Sequence, residues 1–214
     1  MDAMRVKNIL EALKALYPEA QAELHFSNPY ETLVATILSA QCTDKRVNQV
    51  TEKLFSMYPD AYAMAKLEPE ELEPLIKSCG LYHNKAKNIV AACRALVERF
   101  DGQVPNNRAD LMSLPGVGQK TAGVVLLAAF GDDQIPVDTH VFRVSNRIGL
   151  AHATTPLQVE EQLRQILPQE TWSHAHHLII WHGRRLCHAR KADCEHCPLR
   201  EELCEYSSTS RTED

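Results

Sequence analysis

The sequence predicts an all-α protein, and three observations predict it. Apolar residues recur at helical spacing along nearly the whole chain, no segment sustains the alternation of a strand, and proline and glycine stand where helices should begin and end. The rhythm runs through Ile9, Leu10, Leu13 and Leu16, then Leu33, Val34, Ile37 and Leu38, then Ile89, Val90, Cys93, Leu96 and Val97. Asn28-Pro29-Tyr30-Glu31 offers a cap, a first-turn proline and an acidic third position, and Thr155-Pro156 repeats the cap-proline pair. Gly80, Gly102, Gly131 and Gly149 fall where helices should stop, so about nine or ten helices with short connections are expected. Ser207 to Asp214 is polar, lacks an apolar anchor and reads as a frayed tail.

Composition bounds the function. A hydrophobic fraction of 44% and a charged fraction of 24% over 214 residues are those of an ordinary globular protein. Nothing near the N-terminus resembles a signal peptide and no run approaches a membrane span, so a soluble, intracellular protein with no membrane partner is expected. The net charge of -5 counts against nucleic-acid binding, but weakly, because distribution matters more than the sum. Arg184, Arg185, Arg190, Lys191 and Arg200 gather near the C-terminus, while acidic residues concentrate in Glu68 to Glu73 and in the tail. Seven cysteines do not form a disulfide framework: Cys42, Cys79 and Cys93 are scattered in apolar surroundings and read as small buried hydrophobes, whereas the other four are clustered.

Leu114-Pro115-Gly116-Val117-Gly118 interrupts two helical segments, one around Arg108 to Ser113 and one from Gln119 to Phe130. The two glycines permit positive φ and close backbone approach, and the second helix presents unpaired amides and a positive dipole end suited to a phosphate. Alone, such a turn could be a tight helix-helix connection. Followed by Gln119-Lys120-Thr121-Ala122, it looks like the hairpin of helix-hairpin-helix glycosylases.

Lys120 opens the second hairpin helix, and Asp138 lies in Val137-Asp138-Thr139-His140-Val141-Phe142-Arg143-Val144. The helix runs away from Lys120 for roughly 15 Å, and the segment from Gly131 to Asp138 can return over about 20 Å, so the two side chains can meet at one cleft. A lysine amine is a nucleophile only when neutral, and deprotonation at pH 7 from a reference value near 10.4 costs about 4.6 kcal/mol. An active Lys120 therefore needs burial or a neighbouring positive potential. The alternatives are a solvated helix residue for Lys120 and a helix N-cap for Asp138.

Two further segments sharpen the reading. Ile37-Leu38-Ser39-Ala40-Gln41-Cys42-Thr43-Asp44 and Gly80-Leu81-Tyr82-His83-Asn84-Lys85-Ala86, together with the hairpin, resemble the endonuclease III family over essentially the whole chain. The resemblance implies a DNA glycosylase and abasic-site lyase acting on damaged double-stranded DNA as a monomer, with oxidised or ring-saturated pyrimidines as substrates. Lys120 would attack the deoxyribose C1′ and Asp138 would stabilise the charge growing on the sugar. Gln41 and Leu81 would enter the duplex where the damaged nucleotide left; Gly116, Val117, Gly118, His140, Arg143 and Arg184 are the remaining candidate DNA contacts. The resemblance also implies two domains, residues 22–132 and residues 1–21 with 133–214, with the substrate cleft between them.

Cys187, Cys194, Cys197 and Cys204 give C-x6-C-x2-C-x6-C, compact enough to wrap one metal centre. Zinc or an iron-sulfur cluster suits four thiolates, and spacing alone does not separate them. The family resemblance implies one [4Fe-4S] cluster, held by a C-terminal loop and structural because no coordination position is left over. The last interval, Pro198 to Leu203, has six residues where family members usually have five. His174, His176, His177 and His182 invite a second metal reading, but no acidic or cysteine partner is interleaved and helix packing explains them better. A monofunctional mismatch glycosylase, a non-catalytic metal-stabilised DNA-binding module and a metal-dependent nuclease are the rival functions.

Overall fold

The computed structural model describes residues 2–206, so the tail expected at Ser207 to Asp214 lies outside the described residues. Among the described residues there are eleven α-helices, two short 3₁₀ turns and no strand. The count exceeds the nine or ten expected because a helix such as α4 (Ala61–Ala65) is five residues long, too short to show an apolar period; α7 (Arg108–Met112) is equally short but falls on the segment expected around Arg108 to Ser113. No helix among the described residues is long and apolar enough to cross a membrane.

The chain divides into two compact units, Ala22–Asp132 and Met1–Gln21 with Asp133–Asp214. In the first, α2 (Pro29–Ser39) is the central helix. Its cap is the expected one: the Asn28 side chain accepts from the Glu31 amide at 2.9 Å and Pro29 starts the first turn. Tyr30, Leu33, Val34, Ala35, Ile37 and Leu38 are all buried, so α2 is apolar on nearly every side and must be surrounded. Thr32 and Thr36 are buried too, and each hydroxyl donates to the carbonyl one turn back, to Asn28 at 2.9 Å and Thr32 at 2.6 Å. Around α2 stand α3 (Asp44–Met57), α6 (Tyr82–Phe100) and α8 (Gln119–Phe130).

In the second unit α1 (Ala3–Leu16) and α9 (Thr139–Ile148) pack on α11 (Trp172–Arg185), and α10 (Pro156–Ile166) packs on α9. Val6, Ile9 and Leu13 meet Val141, Val144, Ile148, Leu178 and Ile179 in one core. Burying each such aliphatic side chain contributes about 1.5–3 kcal/mol before entropy is counted. Gly149 ends α9 with φ +82 and leaves no room for a β-carbon, because the Glu205 carboxyl lies against it. His176 and His182 are buried in this core, His177 is half-buried and His174 is exposed.

Candidate active site and cysteine loop

The hairpin runs from α7 to α8 through Ser113 to Gly118. Leu114 and Val117 are buried and pin the turn to the core, and the Val117 amide donates to the Leu114 carbonyl at 3.2 Å. Val117 thus serves the fold with its side chain. Gly116 has φ +78, and a β-carbon there would stand 2.7 Å from the Asn88 β-carbon of α6. Of the two glycines, which both permit positive φ, Gly118 does not use that freedom. Its backbone is extended, at φ -94, and a β-carbon would meet nothing within 4 Å. Nothing inside the chain requires glycine there, and Gly118 precedes the first amides of α8 with no side-chain cap. Lys120 follows, exposed, in the first turn of that helix. Burial by the chain itself, one of the two devices the sequence suggested for activating its amine, is absent in the described structure.

Gln41 and Leu81 share a feature that periodicity could not reveal. Both have left-handed backbones, φ 53 and φ 48, and both are exposed, Leu81 to 54%. An aliphatic residue held in this conformation costs about 1–2 kcal/mol, and solvent exposure returns none of it. The loops are fastened from below by Lys85. Only 4% exposed, its ammonium donates to the Leu38 carbonyl at 2.8 Å and the Cys79 carbonyl at 2.7 Å. Burial lowers the Lys85 pKa from its ordinary value. Because Asn88 lies one turn after Lys85, the start of α6 joins the Gln41 loop, the Leu81 loop and the hairpin within one unit.

In the other unit Asp138 is the N-cap of α9, its Oδ1 accepting from the amides of His140 and Val141, both at 2.8 Å. The capping alternative is therefore correct as geometry, and it leaves Asp138 half-buried rather than enclosed. Its carboxyl is oriented by two backbone bonds, which is also what a fixed catalytic carboxylate requires. Arg143 was expected to reach DNA. Within the chain its guanidinium donates to the carbonyls of Gly183 at 2.9 Å and Cys187 at 2.9 and 3.1 Å and lies 3.2 Å from His140 Nδ1. It fastens α9 to α11 and to the start of the cysteine loop. Arg184 is half-buried near His140. Arg185 lies 3.5 Å over the Trp181 ring.

Cys187, Cys194, Cys197 and Cys204 line one small cavity with Ile148, Leu186 and Ala192. Among the described residues no three His, Cys, Asp or Glu side chains stand close enough to hold a single metal ion. The four sulfurs share the lining of this one cavity, a donor set that suits zinc or an iron-sulfur cluster. Burial, helped by the neighbouring cysteines and partly offset by the Leu199 backbone, pushes the Cys197 thiol up to about 11, so an electropositive group is what would hold it as a thiolate. The six-residue interval is absorbed by a helical turn: the Leu203 amide donates to the Leu199 carbonyl at 3.2 Å, with Leu199 fully buried. Two arginines that sequence reasoning missed brace the loop. Arg147 donates to the carbonyls of His188 at 2.7 Å and Ala189 at 2.9 Å, and Arg5 to those of Ile148 at 2.8 Å and Leu203 at 3.1 Å. No sequence signal marks them, because a structural and a solvated arginine look alike.

Residues 34–169 match the family model described as HhH-GPD superfamily base excision DNA repair protein. Endonuclease III of Synechocystis sp. is 51% identical over 96% of this chain and 94% of that protein, and that of Escherichia coli (strain K12) 47% identical over 96% and 97%. The chain belongs to the endonuclease III family. Its fold is that of a trapped endonuclease III-DNA covalent intermediate, with TM-score 0.93, 43% identity and 99% of each chain covered. A thermostable thymine-DNA glycosylase is also similar, with TM-score 0.85 and 25% identity over 97% of this chain and 100% of that one. Membership makes this chain an enzyme of base excision repair, a DNA glycosylase.

Proposed function

We propose that the chain removes oxidised or ring-saturated pyrimidines from double-stranded DNA and nicks the abasic site that remains, with Lys120 as nucleophile. The observation that carries this reading is the exposed amine of Lys120 at the start of α8, two residues after an extended, uncapped glycine. A phosphate seated on that helix N-terminus would bring the sugar to the lysine. The neutral amine attacks C1′, and the glycosidic electron pair leaves with the base, which takes up a proton. The C1′–O4′ bond then opens, with a proton passing from the amine nitrogen to O4′, and leaves an imine that acidifies C2′; loss of that C2′ proton expels the 3′ phosphate and cuts the strand. Because Lys120 is exposed in the chain, desolvation of its amine falls to the bound duplex. Asp138 stabilises the positive charge growing at C1′, as carboxylates do in glycoside hydrolysis. Gln41 and Leu81 fill the space the extruded nucleotide leaves, which accounts for an exposed leucine on a left-handed backbone. The structural relative trapped as a covalent intermediate with DNA supports attack by an enzyme group over attack by water.

Cys187, Cys194, Cys197 and Cys204 would hold one [4Fe-4S] cluster. When bound, the cluster cross-links the loop and supplies no open coordination position for substrate. Arg5, Arg143 and Arg147 hold the loop backbone around it.

Borohydride trapping on a duplex carrying one oxidised pyrimidine tests the reading. A covalent adduct is expected with the native protein and none with Lys120→Ala. Released base without an adduct would replace it with a water-using mismatch glycosylase, and binding with neither adduct nor release would leave a DNA-binding module.

A further inference from the structure

Three polar groups meet inside the unit that carries the cysteine loop: the Tyr17 hydroxyl, the His182 imidazole and the Cys197 sulfur. Tyr17 ends α1 and is buried; its amide donates to the Leu13 carbonyl at 2.9 Å and its ring stands edge-on to Trp181, with centroids 6.2 Å apart. Its hydroxyl lies 3.2 Å from His182 Nδ1. His182, in the last turn of α11, is 1% exposed, and its Nε2 lies 3.7 Å from Cys197 Sγ, within hydrogen-bond reach of a sulfur. The same residue holds the first cysteine too, because its carbonyl accepts from the Cys187 amide at 2.8 Å. His182 therefore touches two of the four candidate ligands and lines the cavity they share. Packing alone does not ask for this, since an apolar side chain would fill the core without two buried nitrogens that each need a partner.

We propose that His182 donates a hydrogen bond from Nε2 to the Cys197 sulfur, is held in that tautomer by the Tyr17 hydroxyl, and so raises the reduction potential of the cluster. The effect on potential rests on the [4Fe-4S] reading above; the two side-chain contacts do not. A cysteine sulfur bound to iron carries no proton and can only accept, so the proton between the two atoms belongs to Nε2. With its one N–H used there, the neutral ring presents Nδ1 as an acceptor, and the Tyr17 O–H fills it. Donation to Nδ1 polarises the ring and strengthens the N–H on its other side. A hydrogen bond to a thiolate draws electron density off the sulfur and favours the more negative, reduced state of the centre, so an electron is harder to remove while the bond is in place. Because α11 carries the imidazole and α1 leads to the hydroxyl, the chemistry of the C-terminal loop is set in part by the N-terminal helix.

The test measures the reduction potential of the intact, iron-loaded protein by film voltammetry, with iron and zinc counted per chain and the unfolding midpoint recorded beside it. His182→Phe removes the donor, and its one-electron equilibrium should shift about tenfold toward the oxidised state, a fall of about 59 mV. Tyr17→Phe keeps the N–H and loses only its support, so a shift of about threefold in the same direction is expected. His182→Gln, whose amide can donate to the same sulfur, should stay within about twofold of the native equilibrium. The double variant should match His182→Phe alone, because Tyr17 acts through His182; shifts that simply add would overturn the relay. Full iron content with a native potential in His182→Phe would overturn the hydrogen bond, whatever happens to the unfolding midpoint. Should His182→Phe fail to take up iron, Tyr17→Phe decides, and an unchanged potential there overturns the proposal. One zinc per native chain would instead overturn the cluster reading, and the tuning with it.

Discussion

The backbone of Gly116 approaches Asn88 so closely that a β-carbon on the glycine would stand 2.7 Å from the Asn88 β-carbon, and the glycine holds φ +78 besides. Gly116→Ala should therefore destabilise the protein by about 2 kcal/mol or more, from left-handed strain and overpacking together. Gly118→Ala meets no neighbour and keeps an ordinary φ, so its unfolding midpoint should match that of the native protein while its affinity for duplex DNA falls. Calorimetry beside a binding titration separates the two glycines. Equal loss of stability in both would contradict the assignment.

Asp138 caps α9 and is proposed to act on the sugar, and two substitutions separate these roles. Asparagine caps helices as well as aspartate does, so Asp138→Asn should keep the midpoint within about 0.5 kcal/mol and lose base release. Asp138→Ala should lose base release and about 1 kcal/mol of stability as well. Single-turnover base release on an oxidised duplex, set against thermal unfolding, reads both. Full activity in Asp138→Asn would leave only the cap.

Leu81 spends conformational energy that the free protein does not recover. Leu81→Gly should raise stability, by up to about 1 kcal/mol, because glycine accepts φ 48 without strain and little packing is lost from an exposed side chain. The same variant should bind damaged duplex more weakly. A fall in stability would show that Leu81 is held by packing.

Burial, above all, holds the imidazoles of His140 and His177 below their ordinary value of 6.5, and the positive charge of Arg184 lowers both further. Each is neutral in the fold and binds a proton more readily once unfolded. The stability this represents is complete above about pH 6.5 and is lost as the pH falls through the depressed folded values. The unfolding midpoint should therefore drop on acidification from about pH 7.5 to about pH 5. His177→Gln should flatten that slope, and an unchanged slope would exclude His177 as a contributor.

Metal analysis decides the nature of the cysteine centre. About four irons with matching sulfide per chain are expected, and Cys197→Ala should lose them together with the visible absorbance and part of the stability. One zinc per chain would replace the cluster reading.

What the sequence determined by itself is what depends on near neighbours. Helical periodicity, the Asn28-Pro29 cap, the turn at Leu114 to Gly118, the position of Lys120 at a helix start and the spacing of the four cysteines are all set within a few residues along the chain, where backbone geometry leaves few choices. Tertiary structure decided how those pieces are held and which polar groups remain available. The structural bonds of Arg143 could not be read until the carbonyls of Gly183 and Cys187 arrived beside it from 40 and 44 residues away. Gly118 could not be told from Gly116 until α6 packed against one and not the other. Likewise Lys85, read as part of a motif, became a buried clamp only because α2 and the turn before Gly80 present their carbonyls to it. A buried polar group must find its partner wherever packing supplies one, and packing joins residues that the chain keeps far apart.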